Sequence, residues 1–289
     1  MEIASEFHSK RFILNYNQKL KKLPIINNNM YSKKDRIEEI KKNGYKINFE
    51  SVFNLAFKNY KKIVLYAGLF FFVFAVIMAL FVSTILIYKF GISQLTEILK
   101  PENLKPDHLT GNSRIAFIVG SILFSIVLSP FMAGFIKMAY CAERDEEFHV
   151  STIFEYYKSS YFKELVIATL LISIVNTALP MLLDQPELEI VINLVSYAIL
   201  FLTFLTTPLI IFSDLKAIDA IKASVIIIFK QPFVLLGLIL VGYILSVIGF
   251  IVFYIGLFFT LPFLYSMYYA IYSEIIGFQA EENKESNSF

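Results

Sequence analysis

Charged residues are scarce in this sequence, and several residue types on which catalytic and metal sites depend are few. Only 17% of the 289 residues are charged, against about 25% in soluble proteins, and there is no tryptophan. The single cysteine, Cys141, excludes a disulfide within the chain. The three histidines (His8, His108 and His149) fall in predicted loops, without metal-ligand spacing to a cysteine or a carboxylate. The sequence therefore predicts no metal and no other cofactor.

Apolar residues are abundant instead, at 57% of the chain, and they are gathered into long runs without a charge. A membrane-spanning helix needs about 20 such residues. The uncharged runs are 63–88, 115–136, 165–183, 190–213 and 232–273, and the last is long enough for two spans joined by a turn near 249–256. A soluble helix of this length would have a polar face, and these runs have none. We predict an all-α polytopic membrane protein with six transmembrane helices arranged as three hairpins.

The polar segments flank this membrane domain, which we place at 48–278. Residues 1–47 form a polar N-terminal segment, in which 1–30 is expected to be flexible and 33–42 to be a short helix. That helix has only Ile37 and Ile40 as apolar residues, so we expect it to be solvated and supported by Lys34–Glu38 and Glu38–Lys42 pairs. Residues 279–289 are expected to be a disordered tail.

The basic residues predict the orientation. Residues 1–62 carry 14 of the 26 lysines and arginines but only six acids, and further lysines follow the second and fourth spans. Because basic residues stay on the cytoplasmic side near short loops, both termini should be cytoplasmic in a bacterial inner membrane. The basic segment adjoins a membrane helix, which favours anionic membrane lipids as partners and not nucleic acid. A homo-oligomer or another membrane protein is a further possible partner.

A repeated unit becomes visible once the spans are assigned. Apolar residues recur at helical spacing opposite polar ones in 49–60, 154–161 and 218–228, which predicts an amphipathic interfacial helix before the first, third and fifth spans. Each such helix is followed by an outgoing span and a returning span. The returning spans each contain a proline: Pro130, Pro208 and Pro262.

Two interpretations of these prolines are possible. A proline removes a backbone hydrogen bond, so each can be a packing kink closed by neighbouring groups such as Ser129, Thr206 and Thr207. Alternatively, a broken helix can present carbonyl groups to a ligand, as in transporters with discontinuous helices. We favour the packing kink, since few other polar groups lie within the spans.

Two asparagines within the spans, Asn176 and Asn193, are candidates for interhelical hydrogen bonds or for a solute path. Four acids end the second span: Glu143, Asp145, Glu146 and Glu147. We interpret them as a solvated turn and helix cap. The sequence contains no nucleophile elbow, P-loop or glycine-rich phosphate cradle, and we predict that the protein is not an enzyme.

The C-terminal two thirds resembles a broad group of uncharacterised bacterial six-helix membrane proteins. The group includes the membrane domain that precedes the catalytic domain in some glycerophosphodiester phosphodiesterases. The matching residues are Pro208, Asp214, Ala220, Ala223, Ser224, Lys230, Gly249, Gly256, Pro262 and Tyr272. The segment EEIKKNGYKINFESVFNLAFKNYKKI resembles relatives often labelled beta-carotene monooxygenase, but three loop histidines cannot supply the iron ligands that this label requires.

Two functions from different classes follow. The first is a non-enzymatic scaffold, assembly factor or envelope-homeostasis component that acts through lipid or protein contacts. The second is a transporter or channel for a neutral or lipidic solute that passes along the proline-containing helices.

Overall fold

The computed structural model describes residues 33–98, 111–182, 188–251 and 255–277, and all regular structure in them is helical. The predicted flexible segment 1–30 and the predicted tail 279–289 lie outside these residues. The α-helices are α1 (Lys33–Asn43), α2 (Phe49–Ile98), α3 (Gly111–Glu143), α4 (Phe162–Leu182), α5 (Glu189–Thr203), α6 (Thr206–Ser213), α7 (Ala217–Lys230), α8 (Pro232–Val247), α9 (Gly256–Thr260) and α10 (Pro262–Ile276). Two 3₁₀ helices, Val150–Tyr157 and Ile248–Ile251, complete the set.

Several of these helices are long and apolar enough to cross a membrane. Four spans meet that description: Phe49–Lys89, Ile115–Glu143, Glu189–Ser213 and Pro232–Ile251. A fifth is added if the Val150–Tyr157 helix and Phe162–Thr177, which meet at a bend of 79°, form one broken span. The described part of the chain is therefore all-helical, and its apolar helices make this a multi-pass membrane protein, as the composition predicts.

Burial divides the bundle into two parts along the helix axes. In α2 the buried positions run from Val52 to Gly68, and no described residue from 69 onward is buried. Many apolar side chains on that later part are exposed, and Tyr88 reaches 91%. An apolar surface of this extent suits lipid and not water. We call the two parts the packed half and the exposed half of the bundle.

The three returning segments change from one half to the other at their prolines. In α3 no residue of 115–128 is buried, whereas each residue of 129–142 is buried or partly buried. In α5 only Ile192 is buried, whereas α6 is buried at seven of its eight residues. None of the described residues in α9 is buried, while α10, which Pro262 begins, is buried at 12 of its 15 residues. The repeat seen in the sequence thus corresponds to a repeated change of environment.

The helix α10 lies at the centre of the packed half. It contacts α2, α3, α6 and α8, and it also touches α1. Its sequence PFLYSMYYAIYSEII is rich in hydroxyl groups compared with the other apolar helices. Polar residues in membrane proteins face neighbouring helices in preference to lipid, and a central position explains this composition.

The short helix α1 differs from its prediction. Ile37 is 1% exposed and Ile40 is fully buried, because α1 packs against α7 and α10. The predicted solvated helix is therefore wrong, since its two apolar residues form a docking face. Its ion pairs also differ: the structure has Arg36–Glu39 at 2.8 Å and Lys41–Glu38 at 2.6 Å.

The three predicted interfacial helices form in three different ways. The first is not separate, because 49–60 continues into the span within α2. The second is the Val150–Tyr157 3₁₀ helix, which buries Ile153 and Tyr156 against α3. The third is α7, which buries one face and exposes Ile218, Lys222 and Phe229 on the other.

Candidate functional site

The three prolines lie at the entrance to the packed half, and all three are buried. Pro208 is the third residue of α6, after a break at Phe204 and Leu205, and Pro262 is the first residue of α10, after a break at Leu261. First-turn amides have no partner within their own helix, so a proline there loses little. Pro130 differs, because α3 runs through it without interruption. The expected kink thus takes the form of a helix break at two of the three positions.

Beyond the prolines, the three segments contact one another. The helices α3, α6 and α10 touch in every pairwise combination. One ring from each meets at the end of the packed half: Tyr140 stacks on Phe212 at 5.2 Å between centroids, and both lie within 6.0 Å of the Tyr269 ring. Aromatic pairs of this kind stabilise a contact beyond the area that they bury. The segments that follow the three prolines therefore lie in packed protein.

The Glu143 carboxylate binds to this group of aromatic rings. The hydroxyl of Tyr269 donates a hydrogen bond to Glu143, and Ser273 Oγ lies 3.3 Å from the same carboxylate. The Tyr272 hydroxyl and Ser213 Oγ share a bond of 2.7 Å nearby, between α10 and α6. We call these residues (Tyr140, Glu143, Phe212, Ser213, Tyr269, Tyr272 and Ser273) the tyrosine cluster.

The interpretation of Glu143 as part of a solvated turn was wrong, although Asp145, Glu146 and Glu147 are exposed as expected. Glu143 follows the buried residues Ile136 and Ala139 at helical spacing. That periodicity is the signal in the sequence that could have placed it on the face of α3 that packs against α10. The partner, Tyr269, lies 126 residues away and could not be found in the same way.

The adjoining loops are held by charged and polar contacts. The Lys62 ammonium donates to the Ala142 carbonyl at 2.7 Å and also binds the Asp145 carboxylate, which holds the pKa of Asp145 below its ordinary value. The Tyr161 hydroxyl donates to Asp214, and this bond, with partial burial, raises the pKa of Tyr161 to about 12. Both contacts connect segments that are far apart in the chain.

The two predicted asparagines occupy different environments. Asn193, in α5, is exposed on the apolar surface of the bundle. Asn176, in α4, is partly buried, and its Oδ1 atom has no hydrogen-bond partner among the described residues. Their assignment to a solute path stays a prediction.

One buried polar residue was missed by the sequence reading. Asn59 belongs to the stripe Val52, Ala56, Asn59, Ile63 and Ala67, which faces the core at intervals of three and four residues. It is fully buried, and both of its amide atoms lack a partner among the described residues, as does the hydroxyl of the buried Thr206. A polar residue within an otherwise apolar stripe was the signal that could have identified it.

Within the described residues no group of three histidine, cysteine or acidic side chains is arranged to hold a metal ion. Cys141 is buried in α3. Comparison of the chain with protein-family models, curated proteins and solved structures found no match. The resemblance to six-helix bacterial membrane proteins therefore stays a prediction.

Proposed function

We propose that this protein is a non-enzymatic scaffold, assembly factor or envelope-homeostasis component of the bacterial inner membrane. It acts through contacts with membrane lipids and with other membrane proteins or a second copy of itself. We assign it six spans as three hairpins, with both termini in the cytoplasm. The sixth span is α9 with α10, whose 21 residues (256–276) are enough to cross a bilayer.

The observation that carries this proposal is the packing beyond the prolines. A discontinuous helix serves a ligand when its broken end faces a cavity. Here the segments after Pro130, Pro208 and Pro262 are buried against one another, and aromatic rings and hydroxyl pairs fill their contacts. Such a core stabilises one arrangement of the helices. The exposed half of the bundle and the docked helix α1 therefore remain as the surfaces that can contact other molecules.

The transporter remains the second candidate because of three polar groups. The buried side-chain polar atoms of Asn59 and Thr206, and one oxygen of Asn176, have no hydrogen-bond partner among the described residues. Buried polar groups are almost always hydrogen-bonded in proteins, so each is expected to have water, another protein group or a solute as its partner. Water held permanently fits the scaffold, whereas a solute or a continuous water path fits the transporter.

Thiol accessibility in membranes distinguishes the scaffold from the transporter. In a Cys141→Ser background, Asn59→Cys and Thr206→Cys would be treated with a membrane-impermeant thiol reagent, added to either side of reconstituted vesicles. Ser51→Cys, at an exposed position, is the positive control. The scaffold predicts labelling at position 51 only. Labelling at 59 or 206 from either side would show an open path and would favour the transporter.

A further inference from the structure

A cleft of about 460 Å³ opens between α1, the connection from α6 to α7, and α7. Four lysines line it: Lys34 and Lys41 from α1, and Lys216 and Lys222 from the start of α7. Neither the prolines nor the tyrosine cluster contributes a lining residue. The cleft is therefore a feature separate from the proline-bearing core.

The charge of the cleft is positive. It has four lysines but only three carboxylates, which are Glu38, Asp214 and Asp219. Two of the three are already engaged. Lys41 lies 2.6 Å from Glu38 and holds the pKa of Glu38 below its ordinary value, and Asp214 accepts the hydrogen bond from Tyr161. Lys216 and Lys222 precede and follow Asp219 by three residues each, and all three line the cleft.

The cleft is also partly apolar and adjoins the lipid-facing surface. Ile226, which is 38% exposed, lines it beside the lysines. Three residues beyond Ile226, Phe229 is 64% exposed on the same helix. A ligand in the cleft thus meets ammonium groups on one side and an apolar surface that continues along α7 on the other. This combination fits an amphipathic anion better than a free one.

The walls of the cleft are held in place by contacts elsewhere. The Tyr45 hydroxyl, just after α1, donates to the Ile227 carbonyl of α7 at 3.1 Å, and Gln231 Nε2 donates back to the Tyr45 carbonyl at 3.2 Å. The Ala217 amide at the start of α7 donates to Glu164 of α4 at 2.8 Å. Because α1 and α7 are joined in this way, the lysines are presented on a preformed frame, which lowers the cost of ordering them on binding.

We propose that this cleft binds the phosphate of an anionic phospholipid headgroup, with Lys216 and Lys222 as its main ligands and the acyl chains following α7 toward Phe229. The inference deepens the proposed function, on which it rests, by naming the class of lipid and its site. A phosphate is the chemistry that both a lipid headgroup and a soluble glycerol phosphate share, and the experiment below separates the two.

The test measures binding of a fluorescent phosphatidylglycerol to the detergent-solubilised full chain by anisotropy. The variant is Lys216→Ala with Lys222→Ala. The matched control is Lys158→Ala with Lys163→Ala, which removes the same charge from two exposed lysines outside the cleft. At a contribution of about 1 kcal/mol per lysine, the cleft variant should bind roughly 30-fold more weakly, and the control should change far less. The Lys216→Arg, Lys222→Arg pair should retain most of the affinity.

Several results would overturn the inference. Equal losses in the two alanine pairs would mean diffuse attraction to basic residues, and no loss in the cleft pair would mean that the lipid binds elsewhere. Displacement by soluble glycerol phosphate at concentrations comparable with the lipid would assign the cleft to a free phosphate compound instead. Each of these outcomes leaves the thiol labelling at positions 59 and 206 unchanged, so failure here is distinguishable from failure of the scaffold proposal.

Discussion

Tyr269 in α10 donates a hydrogen bond to Glu143, the last residue of α3, and so joins two of the three proline-bearing segments at the end of the packed half. The carboxylate also lies 3.3 Å from Ser273 Oγ, one turn further along α10. A hydrogen bond to a charged group contributes more than one between neutral groups. The pair therefore fixes the position of α10 relative to α3.

Removing the hydroxyl alone tests this contact. Tyr269→Phe retains the ring packed on Tyr140 and Phe212 but leaves Glu143 with a weaker partner. We expect the free energy of unfolding in detergent to fall by roughly 1.5–3 kcal/mol. Tyr88→Phe, at a position 91% exposed, is the matched control and should change little. If both substitutions lower the thermal midpoint equally, the bond to Glu143 does not hold the helices together.

A second prediction uses two glycines of the same helix. A Cβ atom on Gly134 of α3 would lie 2.2 Å from the Ile153 carbonyl oxygen, whereas one on Gly120 would meet no atom within 4 Å. Gly134→Ala must therefore push the Val150–Tyr157 helix away from α3, at a cost of about 1–3 kcal/mol. Gly120→Ala should be neutral or slightly stabilising. Thermal unfolding of the two variants would check this, and equal stability would contradict the close approach of the two backbones.

A third prediction concerns the docking of α1. Ile40→Ala removes a fully buried side chain, and substitutions of this kind cost about 2–5 kcal/mol. Because α1 lies at the edge of the bundle, we expect the loss to appear as local opening. Trypsin should then cleave faster after Arg36, Lys41 and Lys42. Asn43→Ala, at an exposed position, should leave the cleavage rate unchanged. Equal rates in the two variants would mean that α1 is not held by its apolar face.

The sequence predicts this architecture well where the signal is local. Runs without a charge predict the apolar helices, and the recurrence of Pro130, Pro208 and Pro262 predicts that the returning segments share a feature. They share a change from lipid-facing to packed surroundings. This change is also visible in the sequence, because the buried helix α10 is rich in tyrosine and serine. Tyrosine and serine gathered in one span, as in α10, favour contact with protein over contact with lipid.

The contacts between distant segments could not be predicted. The apolar residues of α1 are only Ile37 and Ile40, which is too short a pattern to distinguish docking from a solvated helix. Glu143 was identified within an acidic cluster, but its partner Tyr269 and the cleft formed with α7 depend on how helices assemble. Such pairings are tertiary, and neither hydropathy nor helical periodicity in one chain encodes them.

Each proline marks the point at which its segment passes from lipid into packed protein. The chain has no tryptophan, so a single introduced indole reports one position. Phe124→Trp and Phe135→Trp place it before and after Pro130, at an exposed and a buried site of α3. In vesicles containing brominated phospholipid, we predict strong quenching of the emission at 124 and weak quenching at 135, with iodide from the aqueous phase quenching neither strongly. Comparable quenching of both by the brominated lipid, or strong quenching at 135 by iodide, would show that α3 does not pass from lipid into packed protein at Pro130.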